Sequence, residues 1–342
     1  MPATNILRRS TFEFRGLRRP IQFALATMLG AAWLFALPEP AAAQDDEKNV
    51  KVVEQPVLTT KDGWQIHTTY YKSTEGKEAS VVVLLHVKSG NRLVWNNGFA
   101  QRLQNQGYAV ISVDLRKHGQ SKGRTGETVD DGDKKKSKKS SKKSPQTEVN
   151  RYDYQRMIDM DLEAVKKFIF TEHQKQNLNM RKMAIIAPEM SAPIALNFTL
   201  RDWLKKPYDD APTLASKTPK GQDVQSLVLL SPDANLPGVN TTRTISLLKK
   251  LQIAFLICGA SKDSTDKRQT SRLFKQLGGE AQKNSEQKRV YLKTYAYKLR
   301  GTDLLGKKIG TEEYILAFLD KHLKKLNNDW TAWRDRRSKL GS

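Results

Sequence analysis

Between residues 57 and 326 the chain alternates short, strongly apolar runs with longer segments of helical period, and that alternation leaves few folds open. Residues 57–60 and 64–71 flank Lys61-Asp62-Gly63, which predicts a hairpin. Residues 81–85 are wholly apolar, as a strand covered on both faces must be. Residues 108–114, 183–187, 226–230, 253–258 and 290–297 read as further strands. Between and after them, 97–104, 157–170, 192–204, 271–277 and 312–326 read as helices. The second of these carries Met157, Ile158, Leu162, Val165, Phe168 and Ile169 on a helical period. Such alternation predicts an α/β chain: a three-layer sandwich with a mostly parallel central sheet of about eight strands and helices on both faces. Residues 232–252 leave room for one short helix, so no cap domain is expected.

The flanks have a different character. Arg8, Arg9, Arg15, Arg18 and Arg19 precede an apolar run over 21–37, which ends at Pro38 and Pro40 before Ala41-Ala42-Ala43. Residues 1–43 therefore read as a secretory signal peptide, cleaved near Ala43, and the protein as exported, periplasmic or secreted. The alternative is an N-terminal membrane anchor, because the run is close to spanning length. Residues 44–55 read as a flexible acidic stub, 56–326 as the α/β domain, and 327–342 as a basic tail whose Trp330 and Trp333 dock on the domain surface. A lysine-rich insertion at about 121–150 interrupts the domain. Its core is Lys134, Lys135, Lys136, Lys138, Lys139, Lys142 and Lys143, seven lysines in ten positions. Such a run repels itself and buries nothing, which predicts disorder.

With 59 Lys and Arg against 36 Asp and Glu, the chain carries a formal charge of +23. A surface this basic attracts an anionic polymer or a membrane surface. The lysine run lacks interleaved aromatic residues and no nucleic-acid motif accompanies it, so sequence-specific nucleic-acid binding is not expected. The single cysteine, Cys258, excludes an internal disulfide and reads as a buried small hydrophobe. Five scattered histidines give no metal-ligand spacing, and neither a metal nor a cofactor is implied.

Chemistry-bearing residues collect at the strand ends. The strand at 81–85 is followed by His86-Val87, and the strand at 108–114 leads into Asp114-Leu115-Arg116-Lys117-His118-Gly119-Gln120-Ser121. The strand at 253–258 is followed by Gly259-Ala260-Ser261-Lys262-Asp263. In order and content these resemble the α/β-hydrolase family over roughly 56–326. There the third strand ends in His-Gly beside the oxyanion hole, the fourth precedes Asp-x-Arg-Gly-His-Gly-x-Ser, and an acid follows a later strand. The resemblance implies a serine hydrolase or esterase scaffold, with Val87 and Met190 on the oxyanion side and Asp263 as the acid. In such a site a serine on a sharp strand-to-helix turn attacks, a histidine takes its proton, and the acid orients the histidine.

Two of those three catalytic positions are changed. The turn Ala187-Pro188-Glu189-Met190-Ser191 keeps small residues on either side but puts Glu189 at its centre. Ser191 in a shifted register would bring Glu189 into the crowded flank, so Ser191 reads as a helix-start residue. Where the family has its histidine, this chain has Arg300, followed by Gly301. An arginine stays protonated and cannot act as a general base. The opposite charges predict an acid–arginine–acid array of Glu189, Arg300 and Asp263 that keeps contacts and removes chemistry. Three functions follow as expectations. One is a non-catalytic homologue binding a small molecule in a degenerate cleft. Another is an atypical ester or acyl hydrolase that recruits His118 or His86 as base. The third is a polyanion-binding envelope protein. In the first and third, His118 only braces its loop and His86 packs at the strand end.

Overall fold

A computed structural model of the chain describes residues 52–125, 148–283 and 285–341. The signal segment, stub residues 44–51 and the lysine run lie outside the described residues. Among the described residues nine strands form one sheet: β1 Val53–Glu54, β2 Val57–Thr59, β3 Gln65–Tyr71, β4 Ser80–Leu84, β5 Ala109–Val113, β6 Asn179–Pro188, β7 Val224–Leu230, β8 Ala254–Ala260 and β9 Val290–Tyr295. Their order is β1-β3-β5-β4-β6-β7-β8-β9, with β2 paired to β3. The first pairings are antiparallel, and every pairing from β5 through to β9 is parallel. Every residue of β4, β5, β7 and β8 is buried, the reason these strands read as continuous apolar runs.

Helices α1 Phe99–Asn105, α2 Arg151–Arg156, α3 Leu162–Gln174, α4 Ser191–Leu204, α5 Thr241–Leu248, α6 Ser264–Gln276 and α7 Thr311–Leu319 cover the two faces. Because successive strand residues point to opposite sides, Val81, Val83 and Ile185 pack in one core with Ile169 of α3, Ile194 of α4 and Leu273 of α6. Val82, Leu84 and Ile186 enter a second core with Phe99 of α1 and Ile315 of α7. This is the expected three-layer sandwich, and only α5 stands between β7 and β8 in place of a cap. Among the described residues no helix is long and apolar enough to cross a membrane.

Several boundaries differ from the sequence reading. Val53–Glu54, in the stretch read as a flexible stub, pairs with β3; two residues are too few to show a period. The helix expected from 157 starts at Arg151, under a capping box in which Asn150 and Asp153 satisfy each other's backbone N–H groups. It runs on through a π turn, Met157–Asp161, into α3. The insertion is narrower than 121–150, since Ser121 is buried and Arg124 bridges to Trp64.

The basic tail is part of the domain. Trp333 Nε1 donates to His173 O at 3.2 Å, as the docking expectation requires. Arg336 goes deeper: it is only 2% exposed and ion-paired to buried Asp223. Lys166 is ion-paired to the same Asp223 at 2.7 Å and to Asp202. Two cations and two carboxylates thus form one buried, neutral cluster. Arg336 Nε also donates to Pro219 O at 2.9 Å, tying down the connection before β7 that read as plain surface.

Candidate functional site

Strand β4 is the point where the chain changes direction across the sheet: β5 lies on one side of it and β6 on the other. Crevices of open α/β sheets form at the carboxyl ends beside such a switch. Glu189 stands there, directly after β6 and before α4. Its φ of +44° places a non-glycine residue in the left-handed region, as a sharp strand-to-helix turn demands. Its N–H donates to Leu230 O at 2.9 Å, and its carbonyl accepts from Ala192 N at 3.0 Å and Asp233 N at 3.2 Å. The elbow backbone is therefore pinned to the end of β7 whatever side chain it carries.

Among the described residues the Glu189 carboxyl has no hydrogen-bond or ion-pair partner. It lies against Gly301, where an added Cβ would sit 3.0 Å from Glu189 Oε1 and 3.1 Å from Val87 Cγ1. With φ at +53° as well, Gly301 is required twice over. Burial pushes the Glu189 pKa up, Arg300 pulls it down, and Asp233 raises it further; the net direction is up. Arg300 makes its ion pair with Asp233, Nη2 to Oδ1 at 3.4 Å, and its buried Nε is unpartnered among the described residues. Burial also raises Asp233 and Asp266, and Arg300 opposes both shifts.

The expected array of Glu189, Arg300 and Asp263 is therefore not the one formed. Arg300 turns to Asp233, on the loop after β7. Asp263, expected as the acid of that array, instead caps α6, accepting from Asp266 N at 2.8 Å. The buried acid beside the elbow is Asp266, which accepts from Ser231 Oγ and Ala260 N, each at 2.7 Å. Asp233 and Asp266 escaped the sequence reading. The signal available for Asp233 was its place three residues beyond β7, the neighbour of β6, at the carboxyl edge.

The loop after β5, whose motif is the most specific in the chain, is consumed by its own architecture. Asp114 is fully buried and ion-paired with Arg92, and it accepts from Arg92 N at 2.6 Å and Gln120 N at 2.9 Å. Gly119 is obligatory, because a Cβ there would lie 2.2 Å from Asp114 Oδ2. Arg116, wholly buried, bonds Asp161 at 2.7 Å and Asp62 at 2.8 Å. Ser121 Oγ donates to Asp114 O at 2.8 Å. Lys117, which stands where the resemblance implies glycine, has φ of +65° and an ion pair to Asp153 at 2.9 Å.

Both histidines near the site are buried and hydrogen-bonded to backbone. His86 is fully buried; its Nδ1 donates to Val87 O at 2.8 Å, and its Nε2 accepts from Leu115 N at 3.1 Å. Burial and the neighbouring His118, 4.6 Å away between ring centroids, hold its pKa down at about 4. His118 Nδ1 donates to Arg116 O at 2.9 Å, so the ring braces its loop. Ser191 is buried in the first turn of α4 and donates to His86 O. Met190, which the resemblance implied for the oxyanion side together with Val87, is buried. A cavity of about 30 Å³ opens beside Asp233, Gln269 and Arg272. Among the described residues no cluster of His, Cys, Asp and Glu is arranged to hold a metal ion.

No protein-family model and no curated protein sequence matches the chain. Its structure is similar to an esterase from Pyrococcus furiosus (TM-score 0.53, 14% identity, covering 80% of this chain and 92% of that one). It is similar to a dienelactone hydrolase from Anabaena variabilis (TM-score 0.51, 14% identity, 80% and 99%). An acetyl xylan esterase from Paenibacillus is similar too (TM-score 0.50, 14% identity, 82% and 87%). Together with the strand order, these likenesses make the fold that of the α/β-hydrolases.

Proposed function

We propose that this α/β-hydrolase-fold chain is a non-catalytic member of its fold, with Glu189 and Arg300 standing at the nucleophile and base positions of the acyl-transfer machinery. The observation that carries the reading is the pairing of Arg300 with Asp233 beside an elbow occupied by Glu189. An ester formed on Glu189 would need a base to activate water, and the site offers a guanidinium instead. A ligand held in this cleft would be small and would meet Arg300, whose Nε has no partner among the described residues. Export through residues 1–43 and attraction of polyanions by the lysine run belong to the same reading. Deleting residues 134–143 is expected to remove salt-sensitive binding to polyanions.

Hydrolysis of p-nitrophenyl acetate and butyrate tests the central point. The wild type is expected to show no turnover, and Glu189→Ser/Arg300→His to gain it. Adding Asp233→Asn to that pair is expected to abolish the gain, because Asp233 is the acid that faces position 300; Asp263→Asn is expected to leave it. Wild-type turnover that disappears in Glu189→Ala would instead make this an atypical ester or acyl hydrolase.

A further inference from the structure

At the opposite end of the sheet, where β7, β8 and β9 begin, lies a second cavity of about 510 Å³. Small-molecule sites typically enclose about 300–1,000 Å³. From the elbow it is separated by the length of β7, about 20 Å at roughly 3.3 Å per residue. We propose that this cavity binds a carboxylated oligosaccharide. The proposal is independent of what Glu189 does.

Three observations select that class. Two indoles line the cavity. Trp203 is held by its Nε1 donating to Val224 O at 2.7 Å, and Trp330 stays 42% exposed with Arg181 stacked 5.1 Å from its ring centroid. Fixed aromatic faces of this kind suit the apolar C–H faces of a pyranose ring. Side-chain amides, Gln225 among them, supply neutral partners for hydroxyl groups; Gln225 Nε2 is taken by Gln222 O at 2.8 Å, which leaves its Oε1 to accept.

The charge is the third observation. Lys288, Arg289 and Lys321 line the cavity, and among the described residues none of them is ion-paired. Glu286 is the single acid in the lining. The helices that reach this cavity do so with their carboxyl ends, α4 at Trp203 and the turn after α7 at Lys321. Helix carboxyl ends carry free carbonyls and a negative dipole end. A negative end disfavours any anion beside it, so hydroxyl donors fall to the helix ends and the carboxylates to Lys288, Arg289 and Lys321. A sugar carrying carboxylates meets all of these conditions.

Titration of the whole protein with hexagalacturonate, followed by tryptophan fluorescence, tests the assignment. A neutral xylo-oligosaccharide of the same length and inorganic phosphate serve as comparisons. A saturable change is expected with hexagalacturonate alone, weakened at high salt. Affinity is expected to fall ~10-fold or more in Trp330→Ala and in Lys288→Gln/Arg289→Gln, with both variants melting as the wild type does. No saturable response, an equal response to the neutral oligomer or to phosphate, or an unchanged affinity in both variants would each overturn the proposal.

Discussion

Replacing Arg336 with methionine removes one of the two cations from the buried cluster and leaves Lys166 alone between Asp202 and Asp223. Breaking a buried pair by deleting one partner costs about 3–5 kcal/mol, because a charge stays buried and uncompensated. At about 2–4 °C per kcal/mol for a chain of this size, the melting midpoint falls by about 6–20 °C. The pH dependence identifies the cause. Burial pushes Asp223 up, but Lys166 and Arg336 outweigh burial and hold its carboxyl below the usual range. In the wild type this contribution is present above the unfolded carboxylate value and is lost only as pH falls through the depressed folded one. Without Arg336 the folded carboxyl accepts a proton more readily, so the variant's deficit is greatest near neutrality and shrinks toward acid pH. Urea unfolding at two pH values measures this directly. The double variant Arg336→Met/Asp223→Asn, in which Lys166 and Asp202 balance, is expected to recover much of the loss. A deficit under about 1 kcal/mol, the range of a solvent-exposed pair, would refute the reasoning; so would one that does not change with pH.

Glu189→Gln is expected to stabilise the protein at neutral pH. Burial raises the Glu189 pKa, so the ionised folded form is disfavoured as pH rises, and a neutral amide escapes that cost; paired urea titrations should show the gain vanish below the unfolded glutamate value. Lys117 combines a left-handed backbone with the ion pair to Asp153. Lys117→Gly should therefore unfold at higher urea than Lys117→Ala, by about 1 kcal/mol, although both lose the pair. Cys258 is fully buried in β8, and burial lifts its thiol to about 12; a disulfide reagent should label it only as fast as the protein unfolds.

The strands were legible because each central one is buried on both faces, so 81–85 and 253–258 announce themselves without any alternation. The elbow was legible because its turn fixes which neighbours must be small. What escaped has a common cause. Arg300 and Asp233 lie 67 residues apart, and nothing local distinguishes Asp233 from any acid after a strand. Asp263 fits the family's spacing, yet its side chain is drawn into the cap of α6 while Asp266, one turn further on, is the one that points inward. Arg336 sits in a run of charges that reads as a solvated tail, and only Asp223, 113 residues away, explains its burial. The Asp114–Ser121 motif taught the opposite lesson. Its specificity reflects a loop whose buried Asp114, Arg116 and Ser121 are bound into its own architecture, and its match to the family said much about scaffold and little about reaction.

The π turn inside the helix over 151–174 has a consequence for that same loop. Arg116 and Lys117 are adjacent, yet they grip one helix at Asp161, the last residue of the turn, and at Asp153, eight positions earlier and ahead of it. In a regular α-helix, residues eight apart point about 80° away from each other. The surplus residue of the π turn brings the two carboxylates to within about 20°, on one side of the helix and about two turns apart. It acts as a spacer that matches helix phase to loop geometry. Deleting Met160 would regularise the helix and leave the two aspartates seven positions apart, still within about 20° of each other, so both grips are expected to survive; regularising it at full length would instead swing Asp153 about 80° away from Asp161.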